Sequence, residues 1–96
     1  MTRPRYATYT DEGTGIRFVF KYDEADPSLL HIYTRHLTTP EEAIRAFREG
    51  EAIWNEHHQR YESRTATHAV YWFWQVVRRV VMVISCYRKG GATWTS

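Results

Sequence analysis

His31, Arg35 and His36 fall within one six-residue stretch, HIYTRH, just before the sequence breaks at LTTPEEA. Two imidazoles and a guanidinium are the side chains that cleavage of an RNA phosphodiester uses. A base must take the proton of the ribose 2′-hydroxyl, an acid must protonate the leaving oxygen, and cations must hold the crowded phosphate. Histidine suits either proton role because its unperturbed pKa is about 6.5. Further cations lie near the other end of the chain, where Arg78, Arg79, Arg88 and Lys89 accompany Tyr87. On residue type, His36 and His31 are the candidates for proton transfer, with Tyr87 stacking or assisting. Arg35, Arg78, Arg79, Arg88 and Lys89 are the candidates for holding RNA phosphate, and His68 could face the same place.

Other chemistries find less to work with. There is no phosphate-binding glycine loop, no Ser-His-Asp signature and no paired metal-ligand spacing. His57 and His58 are adjacent, so they project differently on any regular element. His31 and His36 are about 140° apart around a helix axis, which makes them a poor metal pair. No metal and no cofactor are expected.

The elements that must position these residues are legible in outline. GIRFVFKYD alternates, with Ile16, Phe18, Phe20 and Tyr22 on one face, and predicts a half-buried strand. Asp26-Pro27-Ser28 signals a helix start, with Asp26 as N-cap and Pro27 at the first helical position. Leu30, Tyr33 and Leu37 then form an apolar stripe over two turns. Thr39-Pro40-Glu41-Glu42 is a capping box that opens a second helix, and Gly50 ends it. The HIYTRH cluster therefore stands at a junction between two short helices. Residues 51–64 fit either a long helix, from Phe47, Trp54 and Tyr61 at intervals of seven, or a strand from about Ala52; the glycine and ESRTATHAV favour the strand. THAVYWFWQ and RRVVMVISCYR are rich in β-branched and aromatic residues and read as two strands joined by a turn near residues 76–79.

The order β-α-α-β-β-β predicts an α+β fold, an antiparallel sheet of about four strands with two short helices packed on one face. Residues 1–15 read as a flexible N-terminal arm, 16–89 as a single domain and 90–96 as a tail. Ninety-six residues suffice for one domain that buries about two thirds of its unfolded surface. Four Trp and seven Tyr supply much of that core. A single cysteine, Cys86, excludes an intrachain disulfide. The longest apolar stretch, 69–87, is interrupted by Arg78 and Arg79, whose insertion would cost about 5 to 7 kcal/mol, so no membrane span is expected. With no leader-like opening, the expectation is a cytoplasmic protein. Net charge is only +2, yet no acidic residue occurs from Thr65 to Ser96, which favours a phosphate-bearing or acidic partner there.

The run FKYDEADPSLLHIYTRHLTTPEEAIRAF, followed by VVMVISCYRKG, resembles the BrnT-like toxins of bacterial toxin–antitoxin pairs, relatives of the RelE-type ribonucleases. The matching positions are Tyr22–Asp23, Arg35–His36, Thr39 to Ala43, and Ile84–Ser85 with Arg88, spread over about 70 of the 96 residues. Leu37 stands where that family usually has glycine, and GGATWTS replaces its arginine-rich C-terminal helix. The resemblance implies metal-independent mRNA cleavage and a cognate antitoxin that blocks the site, with Arg35, His36 and Arg88 carrying over best. Against it stands a non-catalytic module that binds a protein partner, such as a phage-type inhibitor or an antitoxin-like accessory protein. Either function could use a homodimer formed through an edge strand.

Overall fold

The computed structural model describes residues 4–89 and joins six strands into one mixed sheet. In chain order the elements are β1 (Tyr6–Thr10), β2 (Arg17–Lys21), α1 (His31–His36), α2 (Pro40–Glu49), β3 (Glu51–Asn55), β4 (Arg60–Arg64), β5 (His68–Gln75) and β6 (Val80–Arg88). The sheet order is β1-β2-β6-β5-β4-β3. The α+β class is as expected, but the count of about four antiparallel strands is not. Residues 51–64 form a complete hairpin, and β2 pairs with β6 in parallel, Arg17↔Val80 through Phe20↔Val83. A parallel pair needs a long crossover rather than a tight turn. Here both helices and three further strands intervene, and side-chain periodicity carries no sign of strand direction.

The first fifteen residues, read as an arm, supply β1, which pairs antiparallel with β2 from Tyr6↔Lys21 to Thr10↔Arg17. Gly15 closes their connection at φ 76, a left-handed value that glycine adopts without a Cβ penalty. The expected tail, 90–96, lies outside the described residues.

Asp26-Pro27-Ser28 does not start a helix. Asp26 Oδ1 accepts from the Ser28 amide and Asp23 Oδ2 accepts from the Ala25 and Asp26 amides, so these amides are satisfied in a turn. α1 begins at His31 after Leu30, which provides no side-chain cap. The capping box forms as read: Thr39 Oγ1 accepts from the Glu42 amide, and the Glu42 carboxylate accepts from the Thr39 amide. Gly50 follows α2 in an extended conformation, φ −82 and ψ 163, at a position too crowded for a side chain. A Cβ there would stand 2.5 Å from the Ala46 carbonyl oxygen and 3.0 Å from the Arg64 backbone.

Strand alternation sorts the side chains onto two faces. Phe18, Phe20, Val70, Trp72, Val81, Val83 and Cys86 meet Ile32 of α1 with Ala43 and Ala46 of α2 in the core. Among the described residues, no helix covers the opposite face. Arg17 and Val19, Met82, Ser85 and Tyr87, Tyr71 and Phe73, and Arg60, Glu62 and Arg64 project there. A bulge opposite Tyr71 and Trp72 leaves Ile84 unpaired, so Ser85 and Tyr87 stay in phase with Tyr71. β6 extends past the end of β2, and the turn between the helices fills the vacant edge. The buried Thr38 hydroxyl donates to the Cys86 carbonyl at 2.8 Å, replacing a missing strand bond.

Candidate functional site

α1 is the hub of the candidate site because its one and a half turns send two histidines in different directions. On one side, His31 Nδ1 lies 3.5 Å from the Asp23 carboxylate. Asp23 is itself held by the Thr34 hydroxyl at 2.8 Å and by the Asp26 and Ala25 amides at 3.0 Å. These bonds, the Thr34 hydroxyl first, hold its carboxyl below the ordinary carboxylate range. His31, Arg35, Lys21 and Asp23 line an open depression of about 580 Å³.

On the other side, the His36 ring stands 5.9 Å from the Tyr87 ring, centroid to centroid. Partial burial, and then the positive charges of His31 and Arg35, lower the pKa of His36 from its ordinary 6.5. The neutral imidazole, a proton acceptor, is therefore favoured near pH 7. The Tyr87 hydroxyl lies 2.6 Å from that of Tyr71, and Arg64 Nη1 donates to it at 3.4 Å. Burial, and then the bond to Tyr87, raise the pKa of Tyr71. The Arg60 guanidinium stacks 3.9 Å above the Tyr71 ring.

Glu62 fixes both arginines. Its carboxylate accepts from Arg60 Nε and Nη2 at 3.1 and 3.0 Å, from Arg64 Nη2 at 2.6 Å and from Asn55 at 2.9 Å. Burial works to raise its pKa, but the bonds from Arg64, Asn55 and Arg60 outweigh it and hold the group at about 2. The outcome is a positioned Arg64 at the Tyr71–Tyr87 hydroxyl pair, with the Tyr87 ring facing the His36 imidazole.

The remaining candidates do not join this group. Arg88 lies on the helix-bearing face, one residue out of phase with Tyr87, and its Nε and Nη2 each donate to Glu42 at 2.9 Å. His68 Nε2 meets the same carboxylate at 2.7 Å. Burial alone would raise the Glu42 pKa, but Arg88, then His68, bring it below the ordinary value. Arg88 is thus a clamp between α2 and the sheet. Lys89 Nζ donates to the Thr65 carbonyl at 2.5 Å. Arg78 and Arg79 occupy the β5–β6 turn, beyond Val80, which is itself about 23 Å from Tyr87 at the rise of a strand. Arg79 takes the left-handed position of that turn, with φ 54.

Arg60, Arg64 and Tyr71 join the candidate site, although residue type alone did not select them. The signal for the two arginines is RYESR, where Arg60, Glu62 and Arg64 recur at period two and so share one strand face. Among the described residues no three His, Cys, Asp or Glu side chains gather into a metal-binding group. No helix among those residues is long and apolar enough to cross a membrane. No protein family, curated protein or solved structure matches this chain.

Proposed function

We propose that this chain is a small toxin-like ribonuclease that cleaves single-stranded RNA against the helix-free end of β5 and β6. His36 accepts the proton of a 2′-hydroxyl, whose oxygen attacks the adjoining phosphorus. Arg64 stabilises the charge that builds on the phosphate, and the Tyr87 hydroxyl, relayed by Tyr71, protonates the departing 5′-oxygen. The products are a 2′,3′-cyclic phosphate and a free 5′-hydroxyl, with the proton from His36 returning through water. The observation that supports this reading is the meeting of His36 with Tyr87 beside a cation that Glu62 holds in place. The element order adds to it, since Arg35–His36 end α1 and the box at Thr39 opens α2, as in the family that the sequence resembles. An acidic antitoxin covering the open face would silence the enzyme.

The test is incubation of the purified chain with single-stranded RNA in the presence of a chelator. Cleavage to cyclic-phosphate ends is expected, with a loss of about 10²-fold or more in His36→Ala. Intact RNA, or full activity in that variant, rejects the enzyme. The alternative, a protein-binding module, draws on the exposed Ile53 and Trp54 of the edge strand β3. Under it, host growth arrest would survive His36→Ala and disappear with Ile53→Lys.

A further inference from the structure

A second cationic feature lies on the same open face at the opposite end of β6. Arg5, Tyr6, Thr8, Arg17, Arg78 and Val80 line a depression of about 520 Å³ between β1, β2 and the β5–β6 turn. Its floor is apolar, because Val80 is 4% and Val19 8% exposed. Three arginines line it, and among the described residues no carboxylate does. Arg17 Nη2 donates to the Arg78 carbonyl at 2.9 Å, which fixes one guanidinium and ties β2 to the turn.

Four arginines elsewhere in the molecule are held in ion pairs. Arg48, Arg60, Arg64 and Arg88 each meet a carboxylate. Among the described residues, Arg5, Arg17 and Arg78 form no such pair. Like charges gathered in a concavity above a low-dielectric floor focus a positive potential, and guanidinium forks match phosphate oxygens. Tyr6, 43% exposed at the rim, offers a ring on which a base can stack.

We infer that this depression binds a backbone phosphate of the same single-stranded RNA, several nucleotides from the bond that is cut. The inference rests on the ribonuclease reading for the identity of the ligand. The path from Val80 to Tyr87 runs about 23 Å along β6. That is the length of about seven stacked nucleotides at roughly 3.4 Å each. Phe73 and Met82, a cross-strand pair, lie along the path, and Phe73 is 37% exposed. The substrate class is therefore a strand of at least that length rather than a dinucleotide.

The experiment measures binding of a fluorescent twelve-nucleotide RNA to the wild type and to Arg17→Gln/Arg78→Gln over a range of salt concentrations. Unchanged circular dichroism and thermal midpoint establish that the double variant is folded. It is expected to bind about tenfold more weakly at 0.1 M salt, with the slope of log affinity against log salt shallower by about 0.7 for each phosphate that the variant no longer neutralises. A four-nucleotide RNA should show no such slope difference. Equal affinity and slope in both proteins overturn the inference and leave the ribonuclease reading intact. Wild type that binds RNA without cutting it, with the weaker binding in the double variant, sustains the inference and rejects the enzyme. Wild type that binds inorganic phosphate but no RNA, or neither, overturns both.

Discussion

Leu37 turns the chain between α1 and α2 with φ 56, in the left-handed region where a Cβ crowds the following carbonyl. Its amide donates to the Tyr33 carbonyl, while its side chain is 56% exposed and packs little. The strain is about 1 to 2 kcal/mol, and glycine would return part of the gain through the entropy of its unfolded state. Leu37→Gly is therefore expected to stabilise the fold by about 0.5 to 1 kcal/mol, seen as a raised thermal midpoint. A lowered midpoint would mean that the leucine side chain matters more than its backbone. Two residues away, Arg35 acts on His36 through charge. A general base works only when neutral, so cleavage should rise with pH through the pKa of His36, which lies below the ordinary 6.5. Burial is the larger cause of that depression, and the charges of His31 and Arg35 add to it. Arg35→Gln should accordingly move the acid limb of the pH–rate profile part of the way up towards 6.5. A limb that stays in place would assign the titration to another group.

At the scale of elements, β4 is organised by a buried carboxylate. The folded pKa of Glu62, about 2, lies below its ordinary 4.5, so folding favours the ionised form. The stability this contributes is complete above pH 4.5 and is lost as the pH falls through about 2. It is on the order of 2 to 3 kcal/mol. Glu62→Gln should unfold more readily in denaturant at pH 7 and lose much of the acid sensitivity between pH 4.5 and 2; a parallel pH dependence in both proteins would contradict this. The strand that holds Glu62 also marks where sequence reading succeeds and stops. The box at Thr39, the alternation of Ile16 to Phe20 and the two last strands are local patterns, and each is present in the structure. Asp26 misleads because a side chain that caps a helix satisfies the amides of a turn equally well. The grouping of Arg64 with Tyr71 and Tyr87 depends on cross-strand register and on the bulge at Ile84, neither of which has a local signature. Glu42 was legible as a cap, but its bonds to Arg88 and His68 span 46 and 26 residues.

Across the whole molecule, stability is concentrated in the middle of the sheet. Phe20, Val70, Val81 and Cys86 are fully buried, and burial pushes the Cys86 thiol up to about 11, so it behaves as a core residue rather than a nucleophile. β6 is flanked by β2 and β5, whereas β1 and β3 are edges on which most residues are exposed. Local opening is easiest where few apolar contacts must be broken. The amides of β5 and β6 should exchange with solvent only through global unfolding, and those of β1 and β3 through smaller openings that denaturant hardly affects. The two ends of the proposed RNA path then differ in kind. Tyr71 and Tyr87 stand on the rigid centre, while Arg5 belongs to the segment leading into β1. A strand of RNA bridging them would draw β1 into the stable unit. Adding a twelve-nucleotide RNA under conditions that prevent its cleavage should therefore slow exchange in β1 and leave β3 unchanged. Equal slowing in β1 and β3 would instead indicate general stabilisation of the fold, and no change in either would remove β1 from the binding surface.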